Sequence, residues 1–260
     1  MTDSRLSKLG YVLVGAFVYA VLLIPIAVVI LTSFTVQSSP TIPTEGVTIE
    51  WYFELFRNDS IVSAMVVSVV VATVASILSA ILGTVTAFGF VRSDMAYKQT
   101  LSTALLLPLM ISPVITGLAI VQYARMTSLP RGYPLLILGH VILTLPYVFL
   151  IVRAQLVTFD ETLEQASRVM GANQLETVVN VTLPLIAPSV LTGALIGFVV
   201  SFGEFTATQF LISPGTTTVP VIIYTQIRTG LSPEISALAT LLVVMMLVAA
   251  IAAEYFGDGA

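Results

Sequence analysis

Few residues in this chain can do chemistry, and those few exclude several classes of function. There is one histidine, His140, and no cysteine, which excludes disulfides, thiolate catalysis and cysteine or multi-histidine metal sites. The only lysines are Lys8 and Lys98, both outside the apolar runs, so no retinal-type Schiff base can form within a span. No Walker A phosphate loop is present to cradle a nucleotide. Intramembrane aspartyl catalysis needs two acids, and the apolar stretches offer a single candidate, Glu204. A charged side chain at mid-bilayer costs about 2.5–3.5 kcal/mol on insertion scales, so one that persists faces a cavity or a partner. Two readings of Glu204 stand. It is a cation contact or gate on a translocation path, or a hydrated carboxylate at the outer headgroup level.

The elements around these residues are strongly apolar. Hydrophobic residues make up 57% of the 260 and charged residues only 9%, with a mean hydropathy of +1.02. Soluble domains carry about a quarter charged residues, so the composition is that of an integral membrane protein. A net charge of -4 leaves no basic footprint for nucleic acid. A helix crosses the hydrocarbon with about 20 apolar residues. The stretches between charges predict an all-α single transmembrane domain over 1–260, with spans at approximately 10–34, 61–91, 100–124, 134–155, 184–211 and 235–253. The first is too long for a signal-peptide core and is read as retained. An even number of spans puts both termini on one side. A cytoplasmic N-terminus places Arg5, Lys8, Arg92, Lys98, Arg153 and Arg168 inside, against Arg57, Arg125, Arg131 and Arg228 outside, in agreement with the positive-inside rule.

Local signals refine this outline. Trp51, Tyr52, Phe53, Leu55 and Phe56 predict a short helix anchored at the outer interface. Pro108, Pro113 and Pro146 predict kinks inside spans. Gly83, Ala87 and Gly89 allow close helix packing. His140 reads as a hydrogen-bonded interhelical histidine. Pro214-Gly215 predicts a turn, and the run Thr216–Pro220 that follows reads as a short hairpin dipping toward a pore or as a plain external loop.

The longest polar interruption is the segment 160–182. Asp160 is a good N-cap, and Glu161 and Glu164 in the first turn favour the helix dipole. Glu164 and Arg168 are spaced to pair. Gly171 supplies the left-handed residue after the last turn. The sequence therefore predicts one helix over 161–170. Asn173 with Glu176 resembles a capping box for a second helix, which Pro184 stops or kinks. Connectors without a task are usually shorter, so a docking element competes with a solvated linker.

The same segment resembles a family motif: glutamate-alanine-alanine, three residues, glycine, nine residues, isoleucine, one residue, leucine-proline. Gln165, Ala166, Ser167, Gly171, Val181, Leu183 and Pro184 occupy its positions with the spacing kept. The motif marks membrane subunits of ABC importers. Further stretches over residues 45–245, including "LLLPLMISPVITGLAI" and "SFGEFTATQFLISPGTTTVPVIIYTQIRTGLSPEISALAT", are similar to that family, most of all to the second permease of spermidine/putrescine-type systems. The resemblance implies a type I importer permease fold, with six transmembrane helices and a cytoplasmic coupling helix between spans four and five. It implies a chain without catalysis or cofactor of its own, with ATP and magnesium on two partner ATPases. A homologous second permease, an extracytoplasmic binding protein and the bilayer complete the set, in a prokaryotic cell membrane with cytoplasmic termini.

By this resemblance Glu164, Gln165, Ala166, Ser167, Arg168, Gly171, Ala172, Leu183 and Pro184 form the ATPase-coupling set. Gln165 stands where the motif has its acid, and Glu164 directly before it is expected to supply the charge from a position rotated about 100°. Glu204, Phe205, Thr208, Gln209, Pro214, Gly215, Thr217, Pro220 and Tyr224 form the candidate path or gate. Polyamine-type relatives carry two adjacent acids in this region, and here Gly203 occupies the first position. The solute classes implied are polyamines, with ferric iron, thiamine or phosphonate as alternatives. A self-sufficient channel or secondary transporter is the competing class, although no internal repeat of the kind such folds carry is evident.

Overall fold

Without water to hydrogen-bond an exposed backbone, an apolar chain in lipid becomes helix, and the computed structural model is nearly all helical. It describes residues 3–93 and 96–257, with side chains from residue 10 onward. Arg5 and Lys8, which carry the orientation expectation, lie outside the described side chains. The helices are α1 (Asp3–Thr32), α2 (Glu50–Arg57), α3 (Asp59–Arg92), α4 (Lys98–Met110), α5 (Pro113–Thr127), α6 (Tyr133–Thr158), α7 (Glu161–Val169), α8 (Gln174–Thr177), α9 (Leu183–Phe202), α10 (Thr208–Leu211), α11 (Val219–Thr229) and α12 (Pro233–Gly257). A π-helical turn, Val178–Thr182, joins α8 to α9.

The chain falls into two compact units, Met1–Val62 with Ile223–Val243, and Ser63–Ile222 with Val244–Ala260. In the first, α2 forms at the expected place. The Trp51 Nε1 donates to the Thr35 carbonyl at 2.7 Å, and the Tyr52 hydroxyl lies 2.7 Å from Ser33 Oγ. Leu55 is fully buried, while Phe53 and Phe56 are exposed.

In the second unit, α6 is the central helix and packs against α4, α5, α9 and α10. Glycines let the neighbours approach. Val148 of α6 is fully buried between Gly83 of α3 and Gly193 of α9. A Cβ at Gly83 would stand 2.9 Å from Val148 Cβ, and one at Gly193 would stand 3.3 Å from Val148 Cα. Ala87, Phe90, Phe149, Val152, Leu156 and Ile186 continue this core, with Phe90 edge-on to Phe149 at 5.2 Å. Val67, Val71, Ile120, Leu135, Leu136 and Leu211 form a second apolar cluster. The expected packing role holds for Gly83 and Ala87 but not for Gly89, which meets nothing within 4 Å and lines an open cleft.

Three expectations change. The third span, expected over 100–124, is two helices bent by 104°. Pro113 disfavours helical dihedrals at Ser112, which is extended at ψ 133, so the chain turns there. Pro146, by contrast, sits within an unbroken α6. The fifth span, expected over 184–211, stops at Phe202 and resumes at Thr208. Pro184 does not stop the second polar helix. Proline has no N–H to donate, and the preceding turn widens to π, with the Leu183 N–H donating to the Val178 carbonyl. Helix therefore runs continuously over Gln174–Phe202.

Because Gly83 leaves no space for a Cβ, Gly83→Ala should destabilise the protein by about 1–3 kcal/mol through overpacking. Gly89→Ala, in open space within a helix, should leave stability unchanged or raise it by up to about 1 kcal/mol. Thermal unfolding in detergent measures both, and equal midpoints for the two variants would contradict the packing account.

Candidate functional site

The polar segment folds as its capping residues dictate. Asp160 accepts from the Thr162 N–H at 3.0 Å, which starts α7 and holds its carboxyl below the ordinary range. Gly171 adopts φ +101 in open space. The glycine is there for its left-handed backbone. Asn173 and Glu176 form the expected capping box, with reciprocal bonds of 2.8 and 2.9 Å.

The inner face of the segment was not foreseen. Glu164 is only 7% exposed. It accepts from Arg92 Nη2 at 2.9 Å and from the Thr182 hydroxyl at 2.8 Å. The other terminal nitrogen of Arg92 pairs with Glu161, and the guanidinium lies 5.9 Å from the Phe159 ring centroid. Among the described residues these are the ion pairs, so the expected Glu164–Arg168 pair is not made. Nor is Glu164 available to replace the outward charge missing at Gln165, because its carboxylate is turned inward and engaged. Ser167 also faces inward, 3.3 Å from the Thr177 hydroxyl. Gln165, Ala166 and Arg168 are exposed, as are Gly171, Leu183 and Pro184, while Ala172 is half-buried.

Between the end of α3, α7 and α8 lies a cleft of about 740 Å³, lined in part by Gly89, Arg92, Gln165 and Arg168. On the solvent side of the segment the large apolar side chains project outward. Val169 is 87% exposed, Met170 83% and Leu175 72%. Exposed apolar side chains grouped on a polar element mark an interaction surface.

The candidate path residues are organised by the break in the fifth span. Glu204 is half-buried, and its Oε1 accepts from the Ala207 N–H at 2.6 Å, so it caps the turn leading into α10. Phe205 accepts the Gln209 N–H at 3.0 Å, and the Gln209 side chain donates to the Thr206 carbonyl at 3.2 Å. His140 braces the break from α6. Its Nδ1 lies 2.6 Å from Ser201 Oγ and its Nε2 3.0 Å from Thr208 Oγ1, one partner on each side of the interruption. The Thr144 hydroxyl donates to the His140 carbonyl at 2.8 Å and lies 2.7 Å from Ser79 Oγ, which extends the network to α3.

The Pro214-Gly215 turn is present, with Gly215 at φ +81 and Thr216 bonded back to Ser213. Thr217 is half-buried, and Pro220 follows Val219, whose N–H donates to Ser68 Oγ at 2.8 Å. Tyr224 belongs to the other unit, with the Arg228 guanidinium 5.8 Å from its ring centroid. The residues missed from sequence are Arg92, Thr182, Ser201 and Ser79. Arg92 lies 72 positions from Glu164 and had no local signal.

Known proteins resemble this chain throughout. Residues 79–258 match the family described as binding-protein-dependent transport system inner membrane component. The chain is 30% identical over 230 residues to the spermidine/putrescine transport system permease protein PotC of Haemophilus influenzae, covering 88% of this chain and 89% of that one. It is 32% identical over 237 residues to the putrescine transport system permease protein PotI of Escherichia coli, covering 87% and 81%. In fold it matches a chain of a bacterial ABC transporter that imports alginate, with a TM-score of 0.73 at 15% identity and 98% of both chains covered. It also matches a chain of the MetNI methionine ABC transporter, with a TM-score of 0.59 at 18% identity over 78% of this chain and 98% of that one.

His140→Leu should leave the buried hydroxyls of Ser201 and Thr208 without their shared partner, at a cost of about 1–3 kcal/mol. A thermal midpoint in detergent equal to that of the parent protein would show that the histidine does not brace the break.

Proposed function

The chain belongs to the family of binding-protein-dependent transport system inner membrane components and is a non-catalytic membrane subunit of an ABC importer; from that premise we propose that it forms half of a polyamine path and receives work through the 160–182 segment. Such a subunit works with a substrate-binding protein and a second permease. In our reading two ATPase subunits, holding ATP and magnesium, dock on α7 and α8 from the cytoplasm, where both termini also lie.

The observation that carries the coupling reading is the outward ridge of Val169, Met170 and Leu175 on an otherwise polar segment. An apolar surface of this kind gains from burial in a partner's groove at about 25 cal/mol per Å². The segment beneath it is stiff, held by a capping box and by the inward bonds of Glu164 and Ser167. Because helix is continuous over Gln174–Phe202, closure of the ATPases would move α9 as it moves α8. Alternating access then follows from rocking of packed helices.

The polyamine reading is supported by the names of the two permease relatives and by the chemistry of Glu204, a half-buried carboxylate at a helix break. A cationic amine offers such a carboxylate its counter-charge. Phe205, Thr208 and Gln209 on the same turn, with Pro214, Gly215, Thr217 and Pro220, complete the proposed path.

Two outcomes follow. Met170→Asp should place a charge in the docking surface and reduce co-purification of the ATPase by about tenfold or more, and undiminished association would sink the docking assignment. Glu204→Gln keeps an oxygen to accept from Ala207 but removes the charge. It should lower putrescine uptake by roughly tenfold while assembly persists, less than the loss of a fully buried charge partner costs because Glu204 is half-buried. Uptake equal to wild type would remove Glu204 from the path.

A further inference from the structure

The chain itself connects α7 to α6 and, through α8 and the π turn, to α9. Nothing in the connectivity links α7 to α3, yet the structure ties them through one side chain. Arg92, the last residue of α3, sends one terminal nitrogen to Glu161 and the other to Glu164. Glu164 in turn accepts from Thr182 at the foot of α9. The same guanidinium lies by Phe159, at the corner between α6 and α7. The end of α3, the α6–α7 corner, α7 and the base of α9 therefore meet on one charged group.

We propose that Arg92 is a positioning residue for energy coupling: it clamps α3 to α7 so that displacement of the docking segment moves α3 and α9 together. The proposal rests on reading α7 and α8 as the ATPase docking segment. Three features argue for a mechanical role over general stabilisation. First, the pair with the exposed Glu161 adds little stability, so what it contributes beside the buried Glu164 is a fixed orientation of the guanidinium. Second, arginine's planar fork serves two carboxylates at once, which a lysine ammonium on a flexible stem holds less rigidly. Third, α3 has 34 residues and is about 51 Å long, against a hydrocarbon core of about 30 Å, so a clamp at its end grips a lever that crosses the whole membrane.

The absence of native cysteines makes a direct test clean. Spin labels at Val85→Cys on α3 and Thr162→Cys on α7 report the distance between the two helices in the full complex, without nucleotide and with ATP trapped. In the parent protein the distance should stay constant between the two states. In Arg92→Ala it should shift by several ångströms on ATP binding, and solute imported per ATP should fall by about tenfold, within the range of ordinary coupling energies. Arg92→Lys should be intermediate, and Arg92→Glu combined with Glu164→Arg and Glu161→Gln should restore the constant distance. A constant distance in Arg92→Ala in both states overturns the proposal. If Arg92→Ala fails to assemble, the swapped pair decides: restored assembly with a constant distance supports the clamp, and any other result overturns it. Failure of the parent chain to hold an ATPase at all would instead sink the docking reading, which separates the two claims.

Discussion

Lipid offers the backbone no hydrogen bonds, and the arrangement of this protein follows from that constraint. Wherever a helix must be interrupted near the membrane, something else has to satisfy the freed groups. At Pro184 the remedy lies in the backbone, a π turn that skips the missing donor. At residues 203–207 it lies in side chains: Glu204 caps the Ala207 N–H, and His140 holds Ser201 and Thr208 on either side. At Ile111–Ser112 the chain bends by 104° instead of bridging the gap. The first device keeps a helix continuous, while the other two let it change direction. In the proposed coupling, motion is transmitted along the first, and the candidate path lies at the second.

That division explains why the polar network and the glycine contacts converge on α6. Ser79, Thr144 and His140 join α3 to α6 and the break, while Gly83 and Gly193 press against Val148 a turn further along. Close-packed interiors transmit displacement instead of absorbing it. With Val148 lodged between two glycines, the contact leaves little room for side chains to yield. In the proposed cycle, a carboxylate set in a turn braced from α6 is repositioned when the helices shift relative to one another.

The elements that could be read from the sequence were those with local causes. Asp160, Gly171 and the Asn173–Glu176 box each act within four residues, and each stands where its chemistry predicts. The apolar runs likewise gave helices α1, α3, α6 and α12 near their expected places. What could not be read depended on distance or on competition between proline's effects. Pro113 breaks a helix, Pro146 does not, and Pro184 is accommodated by a π turn. The choice among those outcomes is set by the surrounding packing, which no local window contains. Arg92 entered the sequence reading only as a basic residue on the inner side. Its partners were invisible because a residue 72 positions away has no periodic relation to it.

The glutamine at the motif's acidic position illustrates the same limit. From sequence, Gln165 looks like a lost charge, and Glu164 looks like its replacement. The fold separates those roles. Glu164 is turned inward and spent on Arg92 and Thr182, whereas Gln165 stays outward and neutral. Adjacent helix positions point about 100° apart, so Glu164 turns inward while Gln165 stays outward. The acid beside the motif thus belongs to the internal frame of the segment, and the outward surface carries the apolar Val169 and Met170 beside the exposed Arg168. The proposed coupling needs both parts: a face that a partner can grip, and a back that does not give when it is gripped.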